Sequence, residues 1–241
     1  MRSGIAFLIV SRSKSDARDA RALRKLRETC NAVENEVLSR AKFGLRSFVV
    51  KIWTIGHSTR SIEDFISLLK KNKIKLLADV RSLPGSKRYP QFNKDGLETS
   101  LSIHGIRYEH FPELGGRRKP NADSRNTAWR NASFRGYADY METEEFHKGV
   151  ERLLAFAGND GLGSRRNQRD GSETVTPCSA AIMCAEAVWW RCHRSLISDY
   201  LKACDIEVMH ILDANKIEPH PFTSAARIVN GKLSYRAESP L

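Results

Sequence analysis

The chain has 241 residues, of which 41% are hydrophobic, enough for one α/β domain with a sizeable core, which excludes a wholly disordered protein. The net charge is +12, and residues 1–50, with eleven basic and five acidic side chains, carry half of it. Charge alone does not imply a nucleic-acid partner. Five cysteines without regular spacing argue against a secreted disulfide framework, and the N-terminal apolar run is too short for a signal peptide or membrane anchor, so we predict a cytoplasmic protein without a membrane partner.

The chain divides into an appendage and one domain. Residues 1–48 are predicted to be a basic N-terminal extension, either disordered or helical, and residues 49–241 to be an α/β domain. Residues 158–179 are poor in apolar side chains and rich in Gly, Arg, Asn and Ser, so we predict a flexible insertion there.

Apolar runs and helical stripes alternate along the domain. In chain order the predicted elements are strand 50–55, helix 61–69, strand 74–80, a short helix around 97–101, strand 106–111, helices 134–141 and 143–156, strand 180–183, a helical pattern that starts after Cys184 and continues through 196–201, and strand 207–212. Ser61 is predicted to cap the first helix, Gly105 to end the second, and the Asn230-Gly231 pair to form a small C-terminal hairpin. This order predicts a single three-layer α/β domain, with a mostly parallel sheet and helices on both faces.

Polar side chains follow the apolar part of three predicted strands. His57 follows the first strand, Asp79 and Arg81 follow the second, and Cys184 and Glu186 follow the fourth. The carboxyl ends of parallel strands lie at one edge of a sheet, where open α/β sheets place their ligands, so we expect these groups to converge.

Six short motifs occur in order along the domain. They are Thr54–Ser58, Asp79–Ser82, Pro90–Asn93, Glu113–Arg117, Ala128–Asn131 with Phe134–Tyr137, and Cys184–Glu186 with Arg191–Arg194. Together they resemble the domain-of-unknown-function family 488 over about residues 52–233. The resemblance implies an α/β fold and assigns no reaction.

The catalytic candidates lie at the strand ends. Cys184 is either a nucleophile, near a helix N-terminus that favours a thiolate, or a buried inert thiol. Glu186 is a general acid or base, or forms an ion pair with an arginine. His57 is the base for Cys184 or caps the turn that follows the first strand. Asp79, at the end of the second strand, is the fourth catalytic candidate.

Arginines dominate the candidates for substrate binding, because a guanidinium matches phosphate in a two-pronged geometry. The set is Arg81, Arg117, Arg118, Asn126, Trp129, Arg130, Arg191, His193 and Arg194. Arg191 and Arg194 are three residues apart and are expected to act together from one helical face. For any single arginine, a solvated surface position is the alternative. Base stacking is a further possibility for the aromatic side chains of Trp129, Phe134, Tyr137 and Tyr140, whereas the helical spacing of Phe134, Tyr137 and Met141 is more typical of a core.

Metal and cofactor sites are not predicted. Cys184, Cys192, His193 and His57 are zinc-ligand types, but no C-x-x-C pair is present and the adjacent Cys192 and His193 are expected on different helix faces. The chain has no Walker loop, G-x-G-x-x-G fingerprint or serine elbow, which disfavours ATP and dinucleotide enzymes.

The sequence therefore predicts an enzyme, a hydrolase or transferase with a cysteine nucleophile. Its substrate is a phosphate-bearing or other anionic molecule, a nucleotide or nucleic acid, at the carboxyl edge of the sheet. The alternative is a non-catalytic module that binds nucleic acid or a nucleotide. A weaker alternative is a rhodanese-like sulfur carrier at Cys184, by analogy with a strand-end cysteine in an arginine-rich cradle.

Overall fold

A computed structural model of the chain describes residues 51–158 and 179–237. The predicted N-terminal extension, residues 1–48, and residues 159–178 of the predicted insertion lie outside the described residues.

Six strands form the main sheet, in the order β3-β2-β4-β1-β5-β6. They are β1 (Lys51–Gly56), β2 (Leu76–Asp79), β3 (Arg107–His110), β4 (Ala180–Cys184), β5 (Glu207–Ile211) and β6 (Ile217–Pro219). The first five strands in that order run parallel, and β6 pairs antiparallel with β5. A separate antiparallel hairpin contains β7 (Arg227–Val229) and β8 (Lys232–Ser234).

Helices cover both faces of this sheet. They are α1 (Ile62–Lys71), α2 (Lys94–Ile103), α3 (Ala132–Met141), α4 (Glu144–Gly158) and α5 (Arg194–Ala203). Alternate residues of the strands belong to two separate cores: α1 and α2 pack on one face, and α3, α4 and α5 on the other. The predicted three-layer fold is therefore confirmed.

Local sequence explains several element boundaries. The hydroxyl of Ser61 accepts a hydrogen bond from the Asp64 amide at 3.0 Å, which caps α1 as predicted. Asn230 and Gly231 have φ values of 52° and 73°, the left-handed pair that a tight hairpin turn requires. β4 is buried along its whole length, as expected for a central strand with helices on both sides.

The segment after β4 differs from the prediction. The chain does not run from Cys184 straight into a helix, but bends and forms a 3-10 turn, Trp189–Arg191, before α5 begins at Arg194. β6 was not predicted, because it has only three residues and ends in a proline that belongs at a sheet edge.

The carboxyl ends of β2, β4 and β1 lie side by side, and the loops that follow them cover one edge of the sheet. Among the described helices, none combines the length and the apolar character needed to cross a membrane.

Candidate active site

A cavity of about 350 Å³ opens at the carboxyl edge of the sheet, between the ends of β2 and β4 and the N-terminal half of α3. Its walls come from four separated segments of the chain: Arg81, Ser82, Leu83, Gly116, Arg117, Ser133, Phe134, Tyr137, Cys184, Ala185, Glu186, Arg191, Cys192 and His193. A volume of this size suits a small ligand.

Two thiols and an imidazole lie together in the cavity wall. Cys184 is the last residue of β4, Cys192 follows the 3-10 turn, and His193 is the N-cap residue of α5. The two sulfur atoms and a ring nitrogen of His193 lie within 4.8 Å of one another. Both thiols are buried, with exposed fractions of 8% for Cys184 and 3% for Cys192. The bend after β4 is what folds the second cysteine back onto the first.

The orientation of His193 is fixed by the main chain. Its Nε2 lies 3.0 Å from the carbonyl oxygen of Val80, and only a protonated Nε2 can donate to that acceptor. In this tautomer Nδ1 carries the lone pair, and Nδ1 lies 3.6 Å from the sulfur of Cys192. The imidazole therefore directs a basic nitrogen at the thiol.

The two thiols differ in acidity. The hydrogen bond that the Cys184 thiol makes with Cys192, together with burial, raises the pKa of Cys184 well above its usual range. Burial also opposes ionisation of Cys192, but the hydrogen bond from Cys184 and the neighbouring His193 and Arg194 outweigh it and lower the pKa of Cys192. The two pKa shifts therefore have opposite directions, and the upward shift of Cys184 is opposite to the favoured thiolate expected there from the sequence.

Glycine at position 116 allows the loop to approach the imidazole. A Cβ at Gly116 would lie 2.8 Å from Nδ1 of His193, which is closer than a real carbon contact. The hydroxyl of Ser82 donates to the carbonyl of Gly116 at 2.7 Å and holds the loop in this position. A side chain at position 116 would therefore cover the basic nitrogen.

Arg81 forms a fixed positive wall of the cavity. Its Nε and Nη2 donate to both carboxylate oxygens of Asp79, at 2.6 to 3.1 Å, and Nη2 also donates to the carbonyl of Phe92 at 2.8 Å. The Tyr108 hydroxyl donates to the same carboxylate at 2.7 Å. Burial alone would lower the pKa of Arg81, but the Asp79 carboxylate outweighs it and raises that pKa. Asp79 thus holds an arginine and lies behind it.

His57 lies next to Arg81. Its Nδ1 donates to the carbonyl of Ser58 at 3.0 Å, and its Nε2 lies 3.4 Å from Nη1 of Arg81. Burial, followed by the charge of Arg81, lowers the pKa of His57 to about 4, so the ring is neutral near pH 7. Both ring nitrogens are occupied by Ser58 and Arg81, which matches the turn-capping alternative and leaves no nitrogen directed at Cys184.

Three charged side chains line the open part of the cavity. Arg117, Glu186 and Arg191 are all exposed. Arg117 has a φ of 63°, a left-handed conformation that costs a residue with a Cβ about 1 kcal/mol. Strained residues of this kind cluster at functional sites, and here the strained residue carries a guanidinium beside the thiols.

Arg194 is not at the surface. Its side chain is only 1% exposed, Nη2 donates to the carbonyl of Glu186, and Nη1 lies 3.5 Å from the Thr54 hydroxyl. Arg191, by contrast, is exposed. The prediction that these two arginines share a helical face is wrong, because the chain enters α5 only at Arg194.

Four predicted binding residues lie away from this cavity. The guanidinium carbon of Arg118 lies 3.6 Å from the centre of the Tyr140 ring. The Asn126 amide donates to Asp139 and Glu142, each at 2.9 Å. Trp129 packs on Phe134 and Tyr235, and Arg130 lines a different cavity near the C-terminal hairpin, so neither is part of the thiol site.

Cys192, which the sequence analysis considered only as a zinc ligand, and Ser82 line the cavity but were not among the predicted site residues. The expectation that Cys192 and His193 point to different helix faces was wrong, because both precede the first residue of α5 and their side-chain atoms meet. Cys192 could have been found from the pairing of two cysteines across a strand-to-helix connection. Tyr137, which the sequence offered for base stacking or for the core, lines the cavity and donates its hydroxyl to the buried Leu114 carbonyl at 2.8 Å.

The fold and the cavity define a three-layer α/β protein with a thiol–imidazole cluster at the carboxyl edge of a parallel sheet. The chain belongs to the family described as domain of unknown function DUF488, whose model matches residues 61–162 and 167–201. No curated protein and no solved structure matches the chain.

Proposed function

We propose that this protein is an enzyme that binds a phosphate-bearing or other anionic substrate in the cavity and acts on it at the thiol–imidazole cluster. The substrate class we favour is a nucleotide or a nucleic acid, and the reaction a hydrolysis or group transfer. A reduced thiol pair fits the cytoplasmic location predicted from the sequence.

The observation that carries this proposal is that cationic side chains, which bind anions, and thiols, which react, line the same small cavity. Arg81, Arg117 and Arg191 line the same cavity as the buried thiols of Cys184 and Cys192. Positive charge at the mouth attracts and orients an anion, and reactive groups in the wall then lie within reach of it.

The groups have separable roles in this proposal. Arg117 and Arg191 are exposed and bind the anion, whereas Arg81 is held by Asp79 and supplies a fixed charge that needs no rearrangement. Glu186 is exposed at the mouth and is placed to exchange a proton with bound substrate or water. The sulfur atoms and His193 form the reacting centre.

The non-catalytic alternative uses the same arginines and makes a different prediction. A binding module would retain its affinity for nucleic acid without the thiols, and that affinity would fall steeply with salt. A sulfur carrier would instead take the outer sulfur of thiosulfate onto a cysteine as a persulfide, with release of sulfite, and so gain the mass of one sulfur atom.

The test compares the full chain with two variants, Cys192→Ser and Arg107→Ala. Arg107 is an exposed arginine at the first residue of β3, the opposite end of the sheet, so it controls for loss of a basic surface charge. Each protein is incubated with mononucleotides, dinucleotides and short single-stranded RNA and DNA, and products are followed by chromatography and mass spectrometry.

We expect turnover of at least one of these compounds by the wild type and by Arg107→Ala, and a loss of 100-fold or more, on the order expected for a reacting group, in Cys192→Ser. Equal turnover in Cys192→Ser would contradict the proposed role of the thiols. Salt-dependent binding without any product, unchanged in Cys192→Ser, would favour the binding module.

A further inference from the structure

We propose that Cys184, Cys192 and His193 form a three-ligand site for a zinc ion, whose fourth position opens into the cavity. The metal site itself depends only on these three residues. Its catalytic use rests on the proposed function, because that requires the anionic substrate to reach the open position.

The spacing of the ligand atoms fits zinc. Zinc–sulfur bonds of about 2.3 Å and zinc–nitrogen bonds of about 2.0–2.1 Å at a tetrahedral angle separate sulfur from nitrogen by about 3.5–3.6 Å. The sulfur of Cys192 and Nδ1 of His193 are 3.6 Å apart, and all three ligand atoms lie within 4.8 Å of one another. One ion can therefore reach all three atoms with small side-chain adjustments.

The tautomer of His193 is the one that such a site needs. A metal-binding histidine almost always donates its other ring N–H to a carbonyl or carboxylate, which fixes the ring and raises its basicity. Nε2 of His193 donates to the Val80 carbonyl at 3.0 Å, so Nδ1, the nitrogen beside Cys192, has the free lone pair. This contact is independent of the spacing of the ligand atoms and points to the same nitrogen.

The main chain keeps that nitrogen accessible. Gly116 lies so close to His193 that a Cβ there would be 2.8 Å from Nδ1. The ligands also lie on segments with little freedom, since Cys184 ends a central strand and the N–H of His57 donates to its carbonyl at 3.0 Å. A rigid site of this kind loses little entropy when it binds a metal.

Local charge favours metal-bound sulfur. The guanidinium of Arg194 is 1% exposed, its Nε has no hydrogen-bond partner, and within residues 51–158 and 179–237 no carboxylate pairs with it. A buried cation needs negative partners, and zinc-bound thiolates remain acceptors for such a neighbour. Two thiolates and one imidazole are ligands that select zinc over magnesium or calcium.

The open position defines the site as the catalytic kind. Structural zinc sites have four protein ligands, whereas catalytic sites have three and bind water or substrate at the fourth position. All three ligands line the cavity that also contains Arg117 and Arg191. An oxygen of the anionic substrate, or a water molecule beside it, would occupy the fourth position, where the metal acts as a Lewis acid.

The test uses the reduced full-length chain, first depleted of metal with EDTA and then titrated with Zn²⁺ or Co²⁺. We expect one equivalent of zinc per chain by elemental analysis and thiolate-to-cobalt charge-transfer absorption with Co²⁺. Zinc should also protect Cys184 and Cys192 from a thiol reagent, and EDTA should reverse that protection.

Variants assign the metal to the three residues. Cys184→Ser, Cys192→Ser and His193→Gln should each weaken zinc binding by tenfold or more, the loss found when one ligand or its orientation is removed. His104→Gln, which changes an exposed histidine at the end of α2, should bind zinc like the wild type. If a cysteine variant does not fold, the thiol-protection measurement on the wild type and the His193→Gln titration still test the proposal.

Two results would overturn the metal site: no charge-transfer absorption and no protection of either thiol, or zinc binding that is unchanged when Cys184 and Cys192 are both replaced. Zinc binding at these residues in a chain that turns over none of the compounds tested above would support the metal site and contradict only the proposed function.

Discussion

The position of one ring, that of His193, determines what the thiol cluster can do. Its Nε2 is held by the Val80 carbonyl, and its Nδ1 therefore points at Cys192 with a free lone pair. The same lone pair would accept a proton from the thiol or bind a metal. Gly116 leaves that nitrogen uncovered.

Gly116→Ala tests this arrangement directly. The new methyl group would lie 2.8 Å from Nδ1, so either the ring or the loop must shift, and we expect zinc affinity to fall by tenfold or more. The matched control is Gly85→Ala, where a Cβ meets nothing within 4 Å. Titration with Co²⁺ measures both variants, and equal affinities for Gly116→Ala and the wild type would contradict the role we assign to the glycine.

Single residues also show what the sequence could predict of the site. Polar groups after apolar runs were visible, and Arg81, Cys184 and Glu186 do line one cavity. The contacts of these groups were not visible, because hydrogen-bond partners such as Asp79 for Arg81 are set by side-chain geometry. Arg194 is the clearest case, since a basic residue beside a helix start is usually exposed and this one is buried.

Among the secondary-structure elements, α5 connects the site to the C-terminal tail. Its Asp199 is fully buried and accepts hydrogen bonds from Nε2 of His220 at 3.0 Å, from the amide and hydroxyl of Thr223 at 2.9 and 2.6 Å, and from the Tyr235 hydroxyl at 2.8 Å. One carboxylate thus attaches both the segment after β6 and the end of the hairpin to the helix that follows the cluster.

Asp199→Ala should destabilise the protein by about 3 kcal/mol or more, because it leaves several buried donors without an acceptor. Urea unfolding measures the loss, and limited proteolysis should cleave the chain after residue 219 more readily. Glu98→Ala, an exposed carboxylate on α2, serves as the control. An unfolding free energy within about 0.5 kcal/mol of the wild type would contradict this anchoring role.

Element boundaries followed the sequence where local signals were strong. Ser61, Gly105 and the Asn230-Gly231 pair ended or began elements as predicted. The helical pattern predicted directly after Cys184 is wrong as far as Arg194, because tertiary contacts bend this connection: the Trp189 indole donates to Glu218 at 2.7 Å and stacks on His210. Such long-range contacts have no local signature.

The molecule as a whole contains a buried chain of hydrogen bonds between the sheet and the tail. The Thr54 hydroxyl is 2.7 Å from Nδ1 of His210, and Nε2 of His210 is 2.8 Å from Nδ1 of His220, which bonds to Asp199. Burial, followed by the charges of His220 and Arg194, lowers the pKa of His210 to about 2. This residue is therefore neutral in the folded protein at every ordinary pH.

A pH dependence of stability follows from that shift. In the unfolded chain His210 takes up a proton below its ordinary pKa of about 6.5, whereas in the folded chain it does not. Protonation therefore stabilises the unfolded chain, and the unfolding free energy found above pH 6.5 decreases as the pH falls. From pH 6.5 to 4.5 the unfolding free energy should fall by about 2.3 kcal/mol more in the wild type than in His210→Gln, with a slope that approaches about 1.4 kcal/mol per pH unit at the acid end. Urea midpoints measured across this range provide the slopes, and parallel slopes would contradict the prediction.

The overall architecture was predictable because alternation of strands and helices is a property of long stretches, and single errors do not change it. The clustering of two cysteines eight positions apart was not, because it depends on the bend that the whole fold imposes. The match to the DUF488 family over residues 61–162 and 167–201 agrees with the resemblance found in the motifs.

If an anion binds in the same cavity as the thiols, it should protect them from alkylation. The reduced, metal-free chain is treated with iodoacetamide with and without pyrophosphate, and the modification of Cys184 and Cys192 is followed by peptide mass spectrometry. We expect pyrophosphate to slow alkylation of both cysteines in the wild type and in Arg107→Ala. Arg191→Ala should bind pyrophosphate with at least tenfold lower affinity, because it loses about one charge-assisted hydrogen bond. Alkylation rates that do not respond to pyrophosphate in the wild type would contradict the account.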